Sequence, residues 1–532
     1  MDRISSKFKN SYKDEYDALL EALFGEAASQ MVQENSRFAP RREILYDDDG
    51  KSFFDVQRDV ELQPEVSVSE PEEDFEESGW SELPDLLLEN IFSQLTMQDR
   101  YYASLVCKSW HRVFHLPNVW RIFEFDDKTL TRRLFNYYSG WQYMLDHLKT
   151  QQCLTTIGRH LKTLIFKPIN NFYNLYEFMN MISFYSEQKN NPNCTVKGIA
   201  SQITCLQYTF PCNMATRNET KLYGTGGKLL DALKKLMNNL PALRDLQLTD
   251  LMLDSHEALQ LLDQICFSLS LTMNKLVLIN ISKTQCPLLH AGVFLNLHEL
   301  VISPQSLGDD VLCLLAETKL RHLHIVQNSY TPTDVKPISA KAWKLCRKQS
   351  PNLRVHLRVE SNKDRSILWQ ECAPVYTITY TSPKIQVQAD VIAQIVDYYA
   401  DTLRVFGHKL LPRFHQPKSF NERIDAHLIF LSKSCPNLHT LVVRERISTA
   451  TILILITRHV RCLKYFYVRR NAVIIRNDWP KNPAWSEKDY QWIKSTSQSY
   501  EKTEEEVSKI LGYKWKMLTD KEFKSINVEL HN

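Results

Sequence analysis

Leu297-His-Glu-Leu-Val-Ile302 is followed 23 residues later by Leu320-Arg-His-Leu-His-Ile325. Both strings place leucine at positions one and four and an aliphatic residue at six. The pattern recurs at Leu161–Phe166, Ile203–Tyr208, Leu243–Leu248, Met273–Leu278, Leu438–Val443 and Leu463–Val468, and in shorter form at Leu403–Phe406. The closest neighbours stand 23 to 30 residues apart, the spacing of arrays that repeat one strand and one helix. Each string reads as a short strand, and Leu353-Arg-Val-His-Leu357 reads as a copy that has lost the pattern. Helical periodicity lies between strings, at Leu229–Met237, Ala258–Leu269, Leu307–Glu317 and Ser448–His459. Pro241-Ala-Leu243, Pro351-Asn-Leu353 and Pro436-Asn-Leu438 mark the turns from helix to strand. One strand with one helix cannot bury both faces, whereas stacked copies share a core. The expectation is an α/β solenoid with an extended parallel sheet. The uneven spacing leaves an irregular α/β domain as the alternative.

Ahead of the array, Trp80-Ser-Glu-Leu-Pro-Asp-Leu-Leu-Leu-Glu-Asn-Ile-Phe-Ser-Gln-Leu95 opens a helix. Pro84 suits its first position. Leu87, Leu88, Ile91, Phe92 and Leu95 give one wide apolar stripe. Thr96 and Asp99 resemble a capping box that restarts a helix through Tyr102, Leu105 and Val106. A third short helix runs through Trp110, Val113 and Phe114, and Asn118-Val-Trp120 closes the unit. Three short helices hold fewer apolar residues than this segment carries, so the surplus predicts a unit that completes its core against a partner.

These residues resemble the F-box family. Leu83-Pro84, Leu87-Leu88, Ile91-Phe92, Leu95, Val106-Cys107-Lys108, Trp110 and Val119-Trp120 match its pattern. Cys435-Pro-Asn-Leu438 is similar to the strand entry of leucine-rich F-box proteins. The departures are Leu86 for a common Glu, Gln94 for an aromatic and Arg100 for an apolar residue. The strand-following Asn or Cys of such repeats is mostly absent, with Asn280 and His408 as partial matches. The resemblance implies a non-catalytic substrate receptor of an SCF-type ubiquitin ligase, tethered through the Skp adaptor to a cullin-RING scaffold. Leu83, Pro84, Leu87, Leu88, Ile91, Phe92, Leu95, Val106, Cys107, Trp110 and Trp120 are the expected adaptor contacts, with an apolar hot spot among them. Trp110 and Trp120 fit core as well as interface.

The net charge of +3 hides a division. Residues 1–79 hold about 21 acidic and 9 basic residues, roughly −12, and the remainder is about +15. Glu70-Pro-Glu-Glu-Asp-Phe-Glu-Glu77 cannot bury enough surface to offset its ordering entropy. Within the leader, Tyr16–Val32 carries a short amphipathic stripe, and Ser67 and Ser69 lie in acidic context. The basic body suits acidic or phosphorylated targets, with Arg321, Arg354, Arg358, Arg444 and Arg446 as candidate substrate contacts. A solvated outer face is the plainer reading, and no nucleic-acid motif accompanies the charge.

The expected order is an acidic, mostly disordered leader (1–79), an F-box (80–125), a helical linker (126–150), the repeat array (151–470) and a helical cap (471–532). In the cap, Trp479, Trp485, Trp492 and Trp515 are candidates to cover the end of the array. Two other functions fit the composition: an F-box scaffold acting outside a cullin ligase, or a basic repeat protein for phosphorylated or acidic ligands. The sequence contains no Gly-x-Ser-x-Gly, His-Glu-x-x-His or phosphate-loop pattern. Gly224-Thr-Gly-Gly-Lys228 reads as a turn before a helix. No cofactor or metal is expected, since no cysteine pair has ligand spacing. Charges run through residues 1–30 in place of a secretory signal, no apolar run reaches membrane-spanning length, and a cytoplasmic or nuclear location follows as an expectation.

Overall fold

A computed structural model describes residue 80 and residues 83–137, 140–188, 198–215, 220–361, 366–457, 463–481 and 485–526. The expectations for the acidic leader, its Tyr16–Val32 stripe and its two serines lie outside the described residues. The chain divides into two compact units, Met1–Met273 and Asn274–Asn532.

The first unit opens with helices α1 (Asp85–Gln94), α2 (Met97–Ser104) and α3 (Lys108–Phe114), closed by a tight turn at Pro117–Trp120. Pro84 sits one position before α1, and Thr96 caps α2 by accepting the Asp99 N–H at 3.2 Å. Strand β1 (Ile122–Phe125) follows at once and pairs in parallel with β4 (Thr163–Phe166), which pairs with β5 (Cys205–Thr209), which pairs with β8 (Asp245–Thr249). Burial alternates along these strands as a pleat with one covered face requires. Phe125, Phe166, Tyr208 and Leu248 share one register row, all buried. The covering helix is α5 (Phe172–Glu187), whose Phe178 stacks on Phe125 at 3.9 Å.

Residues 126–150 correct the expectation of a helical linker. They form an antiparallel hairpin, β2 (Thr131–Asn136) and β3 (Gly140–Leu145), and helix begins only with α4 (His147–Ile157). The hairpin is anchored from α5: Asn174 Oδ1 accepts the Leu145 N–H at 2.8 Å and its amide donates to the Tyr143 carbonyl at 2.9 Å. A second small hairpin, β6 (Asn213–Ala215) and β7 (Thr220–Leu222), precedes α6 (Gly227–Asn238), and α7 (Ser255–Leu269) follows β8.

The second unit is a parallel sheet of β9 (Lys275–Ile279), β10 (Glu299–Ile302), β11 (His322–Asn328), β12 (Arg354–Glu360), β13 (Val375–Thr381), β14 (Val405–Lys409), β15 (Thr440–Val443) and β17 (Tyr465–Val468). Each strand pairs with the next in that order. Most connections carry a helix: α8 (Asp309–Leu315), α9 (Ala340–Gln349), α10 (Ala389–Tyr399), α11 (Asp425–Ser434) and α12 (Thr449–Ile456). This is the strand–helix repetition of a leucine-rich-repeat-like solenoid, and every quoted string lies on or leads into a strand. Two strands escape the pattern. β1 lies inside the segment assigned to the three-helix unit, and β13 (Val-Tyr-Thr-Ile-Thr-Tyr-Thr) contains no leucine.

Asn280, directly after β9, adopts a left-handed φ of 51° that asparagine tolerates. It is fully buried, its N–H donates to Ser303 Oγ at 2.9 Å, and its Oδ1 accepts from Gln305 Nε2 at 3.1 Å. It thereby ties one turn of the array to the next. The most apolar run, Ile447–Ile456, becomes β16 (Ile447–Ser448) and the wholly buried α12. Among the described residues no helix is long and apolar enough to cross a membrane.

The exposed edge of β17 is closed by the chain itself. Leu518 N–H donates to the Val468 carbonyl (2.8 Å), and Arg470 N–H donates to the Leu518 carbonyl (2.9 Å). Trp515 stacks on Phe466 at 5.9 Å and its Nε1 donates to the Phe466 carbonyl. The segment is delivered by α13 (Glu487–Thr496) and α14 (Tyr500–Leu511), ended by Gly512 at φ 79°. It continues into α15 (Asp520–Lys524), held by an Asp520–Arg469 ion pair at 2.7 Å. Trp479 and Trp492 serve elsewhere, donating to Thr451 Oγ1 (2.9 Å) and Glu506 Oε2 (3.2 Å), and Trp485 is half-buried.

Candidate functional site

Residues four apart on a helix share a face, and their neighbours point away. On α1 this separates two pairs. Leu88 and Phe92 are fully buried, whereas Leu87 and Ile91 are 51% and 41% exposed. Trp110 on α3 meets Phe92 edge-on at 5.7 Å and donates from Nε1 to the Trp80 carbonyl. Trp120 is buried, meets Phe114 at 5.0 Å and donates to its carbonyl at 2.7 Å. Leu88, Phe92 and Trp120 are therefore the core of the three-helix unit, which corrects the expected role of Leu88 and Phe92 as adaptor contacts and gives Trp120 the core position of its two readings. Their size and apolar character are what a bundle this small needs to hold together.

The polar residues of α1 and α2 complete that core. Arg100, which stands where an apolar residue was expected, is buried over the Trp120 ring at 5.3 Å. Its Nε donates to the Phe92 (3.0 Å) and Leu95 (3.1 Å) carbonyls and its Nη2 to that of Ser93 (3.1 Å). These carbonyls lie in the last turn and cap of α1, where the helix has run out of N–H groups of its own. Buried Glu89 accepts the Asn118 N–H at 2.9 Å.

What remains outside is an apolar surface. Pro84, Leu87, Ile91 and Val106 are exposed, and Leu83, Leu95, Cys107 and Trp110 are half-buried. Sequence reasoning missed three of its members. Leu86 is 73% exposed and enlarges the apolar area at the position where the family's Glu was expected. Tyr102 and Leu105, assigned to a helix stripe, are exposed beside Val106. The available signal was the surplus of apolar residues over what three short helices bury.

The candidate substrate arginines part company. Arg321 and Arg354 are exposed at the starts of β11 and β12. Arg358 is half-buried and paired with Glu360 at 2.7 Å. Arg446 is half-buried and donates to the Gln416 carbonyl. Arg444 is fully buried, which corrects its assignment to a binding surface. It donates from Nη1 to the carbonyls of Ser382, Lys409 (3.0 Å) and Leu410 (3.2 Å), from Nη2 to that of Ile385, and from Nε to Glu445 (3.3 Å). It fastens the loops after β13 and β14.

The F-box domain family model matches residues 80–122. F-box/LRR-repeat protein 21 of Ovis aries is 25% identical over 289 residues, 52% of this chain and 58% of that protein. The Bos taurus protein of the same name is 24% identical over 288 residues, with the same coverage. The match thus spans little more than half the length of these relatives. A chain in the crystal structure of the yeast Rad7 and Elc1 complex aligns over 76% of this chain and 93% of its own length, at 14% identity and a TM-score of 0.34, a likeness too loose to argue from. Residues 80–122 are thus an F-box domain, and the chain carries it ahead of leucine-rich-repeat-like strand–helix repeats.

Proposed function

We propose that this chain is the substrate-recognition subunit of an SCF (Skp–cullin–F-box) ubiquitin ligase, docking the Skp adaptor through α1 and α2 and a target protein through its repeats. The carrying observation is the exposed apolar surface of Leu86, Leu87, Ile91, Tyr102, Leu105 and Val106 on a unit whose own core is already filled. Exposed apolar residues concentrated on one small unit mark an interaction site, and aromatic and aliphatic anchors are what a partner's pockets bury. The chain's contribution to ubiquitin transfer is proximity, which raises the effective concentration of target lysines. Conjugation chemistry then belongs to the other subunits.

The test is co-purification of the Skp adaptor and cullin with the full chain and with a Leu87→Asp/Ile91→Asp variant. Both residues are exposed, so the thermal midpoint should stay within a few degrees while adaptor capture falls by roughly two orders of magnitude. Undiminished capture by the variant sinks the interface. Capture of adaptor without cullin by the unaltered chain moves the protein to a scaffold outside the ligase.

A further inference from the structure

β12 and β14 flank β13, and each brings an arginine to its beginning. Arg354 opens β12, Arg404 immediately precedes β14, and Tyr376 is the second residue of β13. Val355 pairs with Val375 and His356 with Thr377, so Tyr376 is the extra residue of a bulge, a device that re-aims a side chain. Both guanidinium carbons lie 4.9 Å from the Tyr376 ring centroid. The backbone holds this arrangement: Arg404 N–H donates to the Tyr376 carbonyl at 2.9 Å and Arg354 N–H to the Arg321 carbonyl at 2.8 Å.

Tyr376 is 9% exposed, and the two arginines are exposed. The ring is therefore a shelf that fixes guanidinium faces and leaves their N–H edges open. Among the described residues neither guanidinium makes a hydrogen bond or ion pair. The carboxylates on nearby strands are engaged, Glu299 by Lys275 (2.8 Å) and Glu360 by Arg358 (2.7 Å). His356 and His439 stand 6.0 and 6.3 Å from the same ring, and His322 Nδ1 is 3.1 Å from His356 Nε2. Burial, and then the charge of Arg354, lower the affinity of His322 for a proton, so it offers hydrogen bonding without a third charge.

We propose that Arg354, Tyr376 and Arg404 form a clamp for the phosphate of a phosphorylated side chain on the target protein. A phosphomonoester carries about −1.5 to −2 charge and three acceptor oxygens, enough to occupy two guanidinium forks bidentately. One carboxylate would fill a single fork. The arginines sit exposed at the starts of interior strands, an open surface that would bury little of a free metabolite, so the phosphate arrives on a chain that brings its own flanking contacts. The inference rests on the proposed function only in calling that chain a target.

The experiment uses the full chain without adaptor, so its failure and that of the adaptor interface are separate results. Fluorescence anisotropy measures binding of randomised peptide libraries with a fixed central phosphoserine, phosphothreonine or phosphotyrosine, and of their unphosphorylated twins. At least one phosphorylated library should bind roughly tenfold or more tightly than its twin. Arg354→Lys/Arg404→Lys, which keeps the charge and removes the forks, should lose that margin with an unchanged thermal midpoint, and Tyr376→Leu should lose part of it. Equal binding of every library and its twin overturns the clamp. So does full binding by the lysine variant, or displacement of phosphopeptide by single-stranded DNA at equal phosphate concentration.

Discussion

At the scale of single residues, charge is spent on the interior as much as on the surface. From sequence Arg444 reads as a candidate substrate contact and Arg100 as a departure from the family's apolar residue, yet both are buried as carbonyl-binding ties. Burial pushes the Glu445 carboxyl up and the Arg444 guanidinium down, while each opposes the shift of the other. Arg444→Met would remove the cationic partner of Glu445 and the donor to several loop carbonyls. Breaking one side of a buried pair costs about 3–5 kcal/mol, so the urea midpoint should fall accordingly. Arg444→Met/Glu445→Leu should recover part of that loss, because no unpaired charge remains. A double variant as unstable as the single one would show that the carbonyl ties alone carry the effect.

At the scale of elements, the same physics divides the faces of α1 and closes the last strand. α1 was legible as an amphipathic stripe, but its width concealed two functions. Leu88 and Phe92 pack the unit, and Leu87 and Ile91 stay exposed, the residues proposed to meet the adaptor. The C-terminal segment was legible only as helices rich in tryptophan. That Trp515, rather than Trp479 or Trp492, covers the last strand depends on which ring reaches Phe466. An uncovered strand edge invites pairing with other chains. Trp515→Ala should lower stability by about 3–5 kcal/mol and promote self-association, measured by thermal melting and light scattering. A variant that melts and scatters like the parent would remove Trp515 from the closing role.

At the scale of the whole molecule, buried histidines give folding a pH dependence. Burial, helped by neighbouring positive charge, takes His356 to about 3 and His324 to about 2, and pushes buried His408 well down. The unfolded chain takes up these protons near pH 6.5. Stability is therefore complete above about pH 6.5 and falls as the pH drops, because only the unfolded state binds the protons. His324 and His356 should each cost about 2 kcal/mol by pH 5. A His324→Asn/His356→Asn variant should lose correspondingly less stability between pH 7 and pH 5 in urea titrations. Identical acid slopes would contradict the assignment.

The sequence by itself determined the repeat strands and the F-box motif, because both rest on local periodicity that each segment carries alone. Leu297–Ile302 and Leu320–Ile325 pair in register as their matching patterns require. Tertiary structure decided what periodicity does not encode. β13 is a strand because neighbours cover both its faces, although no leucine marks it. The hairpin at 131–145 exists because Asn174, 29 residues beyond Leu145, supplies its anchor. Arg444 is interior and Arg354 exterior for a similar reason: carbonyls from distant loops converge on one and an aromatic shelf lies under the other. Which face of a residue meets solvent is fixed by partners far away in the chain, and only the folded molecule brings them together.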